Sequence, residues 1–129
     1  MQPDLKDFQK KIGVSFKDAT LLTQAFIHRS YINENKASGL SHNERLEFLG
    51  DAVLELVITD FLYKKYPEKP EGDLTAYRSA LVNADTCAEI AKSLGMEEYL
   101  MLSKGESKDK GRARQYILAN ALEAVIGAI

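Results

Sequence analysis

Apolar residues recur at helical spacing along almost the whole chain, and this periodicity constrains the fold more than any other feature. The clearest case runs from about residue 43 to residue 66, where apolar positions follow one another mostly at intervals of three and four. The stripe consists of Leu46, Leu49, Val53, Leu54, Val57 and Phe61. No alternation of apolar and polar residues continues long enough to indicate a strand. We therefore predict an all-α fold, built as a helical bundle.

Local signals indicate where several helices begin and end. Pro3 is expected to open the first helix, at a position that proline tolerates, and Gly13 to end it. Asp18 is expected to cap the second helix, and Asn83 a later helix that ends near Gly95.

The polar stretch 33–43 and the charged stretch 104–114 are predicted to be connections without regular structure. The last helix is predicted to begin near Arg114 and is still running at Ile129, with no stop signal. We therefore expect residues 1–129 to form one domain that is truncated within its last helix.

Composition excludes several classes of protein. The single cysteine, Cys87, rules out an intrachain disulfide and fits a reducing compartment. No apolar run approaches the length of a membrane span and the N-terminus has no signal core, so we predict a cytoplasmic protein without membrane association. A net charge of −2 argues against a stand-alone nucleic-acid binder. A polyanionic partner then requires local basic patches, metal ions or an attached basic domain.

The stretch "HNERLEFLGDAV" at 42–53 places three acids on one side of the long helix. Glu44, Glu47 and Asp51 are three and then four residues apart, so they stack about one and two turns from each other. Like charges at this spacing repel, and no lysine is interleaved to pair with them. The stripe therefore indicates a cationic partner.

The last helix carries a second polar stripe, which contains Tyr116, Asn120, Glu123 and Gly127. If the two stripes face each other, Glu47, Asp51, Asn120 and Glu123 converge, and hard cations such as Mg²⁺ or Mn²⁺ prefer such oxygen ligands. A solvated groove whose acids pair with lysines is the alternative that stays open. A di-iron site is disfavoured because neither histidine follows a glutamate by three residues, and zinc because there is one cysteine and no paired histidine.

The segment "NERLEFLGDAVL" resembles the signature of the ribonuclease III family, endonucleases that cut double-stranded RNA. Further segments resemble the family in the same order: "LLTQAFIHRSY" (21–31), "EGDLTAYRSALV" (71–82) and "ILANALEAVIGAI" (117–129). The resemblance implies a ribonuclease III-type catalytic domain that hydrolyses double-stranded RNA with Mg²⁺, or Mn²⁺ in its place, in rRNA and mRNA maturation and decay. It also implies a homodimer, no small-molecule cofactor, and a separate double-stranded-RNA-binding domain that this sequence does not encode.

The resemblance also implies roles for individual residues. The implied metal ligands are Glu47, Asp51, Asn120 and Glu123, and the implied catalytic residues are Asp51, Glu123, Glu44 and Glu71. Asn120 stands where the family usually has an aspartate. Phe48 matches a position that helps to join two subunits. The alternative function, a ribonuclease III-like dimeric domain that binds RNA or ribonucleoprotein with weak or no cleavage, is favoured by Asn120 alone.

Six basic residues are candidates for contact with the RNA backbone. They are Arg78, Lys104, Lys108, Lys110, Arg112 and Arg114. For Arg78, an ordinary ion pair with an acidic residue stays open as the alternative. For the charged stretch 104–114, the alternative is a solvated loop without contact to RNA. For His28, a packed position at a helix end is favoured over contact with RNA or with a neighbouring acid.

Overall fold

A computed structural model of the chain describes residues 3–129, and its regular structure is helical. The helices are α1 (Lys6–Ile12), α2 (Ala19–Ala25), α3 (Arg29–Glu34), α4 (Glu44–Lys65), α5 (Glu71–Leu81), α6 (Ala84–Ser93), α7 (Lys104–Lys108) and α8 (Arg112–Ala128), with short 3-10 helices at Lys36–Ser38 and Met96–Tyr99. The described residues contain no strand, only an isolated bridge between Ile27 and Met101. The all-α prediction is confirmed. None of these helices has both the length and the hydropathy needed to cross a bilayer.

The predicted helix ends are mostly confirmed. Gly13 ends α1 with a left-handed backbone (φ 70°), and the Asp18 carboxylate accepts the N–H of Thr20 at the start of α2. The side chain of Asn83 accepts the N–H of Thr86 and caps α6. These positions are predictable because each depends on contacts within a few residues along the chain.

One predicted helix start is wrong, and two helices are not predicted. The first helix begins at Lys6 and not at Pro3, because the Asp4 carboxylate accepts the N–H of Lys6 (3.0 Å) and leaves the preceding residues outside the helix. Helices α3 and α7 occupy stretches in which no helix is predicted, whereas α8 begins at Arg112, close to the predicted start near Arg114. Long-range contacts define α3 and α7: Met101 accepts the N–H of His28 (3.0 Å) and donates to the carbonyl of Phe26 (2.9 Å), which brings the two short helices together.

Helices α4 and α8 form the centre of the fold and cross at two glycines. A Cβ atom on Gly50 would overlap the carbonyl oxygen of Glu123, and one on Gly127 would overlap the carbonyl oxygen of Leu46. The two backbones therefore approach more closely than any side chain at these positions permits. This crossing brings Glu123 of α8 beside the acids of α4.

The apolar stripe predicted for α4 is only partly correct. Leu46 is buried, but Leu49, Val57 and Phe61 are 50, 57 and 49% exposed. The large exposed apolar residues of α4 are Phe48, Leu49, Leu56, Val57, Phe61 and Tyr63, which we call the exposed α4 face. Because apolar residues surround most of this helix, periodicity does not distinguish the side that packs on α8 from the side that does not.

Candidate functional site

Four acidic side chains line one cavity at the crossing of α4 and α8. Its lining residues are Glu44, Glu47, Phe48, Asp51 and Glu123, its volume is about 400 Å³, and we call it the acidic cavity. Glu44, Glu47 and Asp51 come from successive turns of α4. Glu123 reaches them because the glycine contacts remove any spacing side chain between the helices. The carboxylate stripe is therefore directed toward α8.

The carboxyl groups of this cavity repel one another strongly. The pKa of Glu123 is raised to about 8, first by burial and then by a hydrogen bond with Asp51 and repulsion from Asp51 and Glu47. Burial also raises the pKa of Glu47, with repulsion from Glu44 and Asp51 as further causes. Glu123 consequently retains a proton at neutral pH when no cation is bound.

Asn120 lies in a neighbouring cavity of about 290 Å³, which we call the His28 cavity. It is lined by His28, Arg29, Asn43, Glu44, Glu47, Ile117 and Asn120. Glu44 and Glu47 line both cavities, whereas Asn120 does not line the acidic cavity with Asp51 and Glu123. Within residues 3–129, no three His, Cys, Asp or Glu side chains are close enough to hold a metal ion. The four groups expected to converge on one site therefore line two adjoining cavities.

Glu44 differs from the other acids because a basic residue pairs with it. Arg29 approaches it with Nε at 2.8 Å from Oε2 and Nη2 at 3.1 Å from Oε1, a bidentate arrangement. Sequence reasoning misses Arg29 because its partner is 15 residues away and no motif links the two positions. The charge of Glu44 is thus offset at the edge of the acidic cavity.

His28 caps α3, in agreement with the prediction of a helix-end position. Its Nδ1 accepts the backbone N–H of Ser30 (3.1 Å) and lies 2.8 Å from the Ser30 hydroxyl. Burial lowers the pKa of His28, and the nearby acids Glu106 and Glu44 partly oppose this. The imidazole is therefore neutral at neutral pH.

The remaining predicted site residues lie outside the two cavities or at their rim. Glu71 is the exposed first residue of α5, and the structure does not bring it to the acidic cavity. Arg78 donates from Nη1 to the hydroxyl of Thr59 on α4 (3.0 Å). Phe48 lines the acidic cavity but is 83% exposed. Lys104, Lys108, Lys110 and Arg112 are all exposed.

The prediction that Arg114 contacts RNA is wrong. Arg114 is 4% exposed and lies 3.1 Å from the carboxylate of Glu97. It also donates to the carbonyl oxygens of Glu106 (3.0 Å) and Ser107 (3.1 Å). Within the first turn of α8, it faces the interior, where it fixes the segment that contains α7.

Comparison with known proteins supports the resemblance found in the sequence. Residues 18–129 match the family described as Ribonuclease-III-like, and the chain belongs to that family. The Ribonuclease 3 of Protochlamydia amoebophila is 53% identical over 121 residues, which are 94% of this chain and 50% of that protein. The Ribonuclease 3 of Enterococcus faecalis is 48% identical over 123 residues, 95% of this chain and 54% of that protein. The chain thus spans about half the length of these curated relatives.

Solved structures confirm the ribonuclease III-type architecture. The nuclease domain of ribonuclease III from Campylobacter jejuni, described for flexibility in a region involved in dimer formation, superposes with a TM-score of 0.87 and 40% identity. The match covers 98% of this chain and 84% of that one. Dicer from Pichia stipitis gives a TM-score of 0.66 at 34% identity, covering 88% of this chain and 46% of that one.

Proposed function

We propose that residues 1–129 are the catalytic domain of an endoribonuclease that hydrolyses phosphodiester bonds in double-stranded RNA, in rRNA and mRNA maturation and decay. The acidic cavity carries the proposal, because Glu47, Asp51 and Glu123 repel one another there and, within residues 3–129, no basic side chain lines it. Perturbed carboxyl groups of this kind are typical of functional sites. Membership of the Ribonuclease-III-like family supports the substrate and the reaction.

The residues of the acidic cavity fit a hard divalent cation, Mg²⁺ or Mn²⁺. Their donors are all oxygen atoms, and the raised pKa of Glu123 reflects negative charge that a cation would offset. The carboxylates as placed are too far apart to hold an ion. We therefore propose that Glu47, Asp51 and Glu123 would turn toward an entering ion, and that Asn120 would add an uncharged amide oxygen from the adjoining His28 cavity. When bound, the ion supplies charge stabilisation to the phosphodiester and lowers the pKa of attacking water.

The chain's own residues prepare this cavity. Burial and the neighbouring Asp51 raise the pKa of Glu123, so a cation that enters the cavity would displace the Glu123 proton. Arg29 holds Glu44 at the rim, facing the proposed scissile region. Glu71 opens α5 outside the cavity, so its proposed role requires RNA that extends from the cavity along α4.

We also propose a homodimer formed through the exposed α4 face. Six large apolar side chains lie on this face, among them Phe48 and Tyr63, which are 83 and 71% exposed. An apolar surface of this extent is typical of an interface. The Campylobacter jejuni domain, described as having a region involved in dimer formation, supports the proposal.

The dimer is tested by sedimentation of Phe48→Ala. Phe48 also borders a largely apolar cavity of about 1080 Å³ beside the start of α4. Replacing its ring with a methyl group removes apolar contact from the proposed interface. We expect dissociation at concentrations where the unchanged chain is dimeric. Ile90→Ala, at an exposed apolar residue of α6, should leave the association unchanged. A chain that is monomeric at every concentration contradicts the proposal.

The RNA-binding surface is proposed to include Arg78 on α5 and four exposed basic residues near α7: Lys104, Lys108, Lys110 and Arg112. Backbone contacts of this kind release counterions, so binding should weaken as salt is raised. Sequence preference should be slight, because an A-form duplex is recognised mainly by its shape and backbone.

A cleavage assay on a plain RNA duplex with Mg²⁺ tests the proposed activity. We expect endonucleolytic products that disappear with a chelator and with Glu123→Gln. The second candidate function, RNA binding with weak or no cleavage, is favoured by Asn120, because an amide brings no charge to the cation. Duplex binding without products at any Mg²⁺ or Mn²⁺ concentration would establish that second function instead.

A further inference from the structure

We propose that His28 is a neutral hydrogen-bond donor that contacts an RNA 2′-hydroxyl in the His28 cavity and so helps to distinguish RNA from DNA. This inference rests on the proposed function, since it names how the same site recognises the sugar of its substrate. His28 is then a specificity-determining residue, and Ser30 and Ser103 position it.

The hydrogen bonds of His28 define its tautomer. Nδ1 accepts the backbone N–H of Ser30 (3.1 Å), so it carries no proton. The proton of the neutral ring must then lie on Nε2, on the far edge of the imidazole. Among the hydrogen bonds within residues 3–129, Nε2 donates to no protein group. His28 lines the His28 cavity and has an N–H donor that no described protein group uses, and we infer that this donor faces the cavity.

Two serines hold the ring in this orientation. The Ser30 hydroxyl lies 2.8 Å from Nδ1, and its oxygen accepts the backbone N–H of Ser103 (2.9 Å). A hydroxyl has one proton, so Ser30 donates to Nδ1 while Ser103 donates to Ser30. The N–H of His28 itself is bound to the carbonyl of Met101 (3.0 Å), which fixes its backbone as well.

The other groups of the cavity determine which ligand fits. Glu44 and Glu47 line it with His28 and can accept hydrogen bonds. Arg29 is already paired with Glu44, and the side-chain amide of Asn43 donates to the carbonyl of Ala25 (2.9 Å). With Arg29 paired to Glu44, none of the described side chains that line this cavity is a free cation for a phosphate. A 2′-hydroxyl both accepts from Nε2–H and donates to a carboxylate, so it satisfies both kinds of group.

The test combines a histidine variant with single 2′-deoxy substitutions in an RNA duplex. His28→Asn keeps an oxygen that accepts the N–H of Ser30 and caps α3, but it has no donor at the position of Nε2. With wild-type protein, a deoxy substitution at the contacted nucleotide should lower kcat/KM about 3- to 10-fold, the range of one neutral hydrogen bond. With His28→Asn the same substitution should have no further effect.

Binding to a Glu123→Gln background measures the same coupling without cleavage. We expect the deoxy duplex to bind about 3- to 10-fold more weakly than RNA when His28 is present, and equally when it is Asn. If the effects of His28→Asn and of deoxy substitution are additive at every nucleotide, the inference is overturned. Failure to bind any duplex instead overturns the proposed function, so the two failures are distinguishable.

Two controls separate recognition from structure. His28→Gln restores an N–H donor near the position of Nε2 and should recover part of the discrimination, while Ser30→Ala should lose part of it with His28 unchanged. Unfolding temperatures show whether each variant is folded. The ¹⁵N spectrum of wild-type histidine supplies a measurement that needs no variant: a His28 ring protonated at Nδ1 at neutral pH overturns the inference.

Discussion

The two ends of α8 hold charge in opposite ways. Near its start, Arg114 is buried but meets the carboxylate of Glu97 at 3.1 Å and two backbone carbonyls, and only its Nε lacks an acceptor within the described residues. Nine residues further on, Glu123 faces Asp51 and Glu47, and burial and repulsion raise its pKa to about 8. Paired charge of the first kind contributes to the fold, whereas an acidic group without a cationic partner, as at the second position, is available to a ligand.

Exchanging carboxylate for amide at each end should separate the two roles. Glu123→Gln removes an ionisable group from the acidic cavity, so RNA cleavage should fall by about 100-fold or more. Its matched control, Glu97→Gln, should cleave normally and lose about 1 kcal/mol of stability, because Glu97 stays partly exposed and its bond to Arg114 weakens. Single-turnover cleavage rates and urea unfolding measure the two effects. Equal loss of cleavage in both variants would remove the distinction between the ends of α8.

Arg114→Met should cause the largest loss of stability at the paired end. The substitution leaves two carbonyls without donors and Glu97 without its cation. We therefore expect the free energy of unfolding to fall by about 2 to 3 kcal/mol. Arg112→Met, two residues earlier and exposed, should change it by less than about 0.5 kcal/mol. Urea titrations of both variants give the comparison. Similar values for the two would mean that Arg114 contributes no more than a surface charge.

The unpaired end should make the metal-free protein less stable as pH rises. The pKa of Glu123 is raised from 4.5 to about 8 in the fold, so its protonated form favours folding. That contribution is complete below about pH 4.5 and is lost as pH rises toward about 8. Unfolding temperatures in chelator should therefore decline over this window, and Glu123→Gln should flatten the decline. Added Mg²⁺ should restore stability at the alkaline side, since the proposed cation site exists only in the folded chain.

Local patterns predict much of the unpaired end. The spacing of Glu44, Glu47 and Asp51 places them on one helix face whatever the rest of the fold does. The stripe on α8 is predictable for the same reason, because helix geometry alone determines it. That Gly50 and Gly127 let the two helices cross closely, and so join Asp51 to Glu123, is visible only in the fold.

The paired end and the His28 cavity depend on contacts that no local pattern encodes. Ser103 donates to Ser30 across 73 residues, and Arg114 meets Glu97 across 17. A run of basic residues such as 104–114 looks the same in sequence whether its members are solvated or buried. The orientation of α4 is ambiguous for a related reason, because its apolar residues exceed what one buried face requires. Tertiary packing decides each of these cases.

The smallest expected effect concerns Asn120, whose cavity adjoins the unpaired end. An amide oxygen can bind Mg²⁺ but adds no negative charge, and cation affinity depends on the number of charged ligands. Asn120→Asp should therefore lower the Mg²⁺ concentration needed for half-maximal cleavage several-fold. Glu47, which lines both cavities, would then be flanked by one more carboxylate, so the metal-free variant should also be slightly less stable than the unchanged chain at neutral pH. Cleavage rate against Mg²⁺, measured beside unfolding in chelator, tests both parts together. An unchanged metal dependence with unchanged stability would mean that residue 120 belongs to the His28 cavity alone and lies outside the reach of the cation.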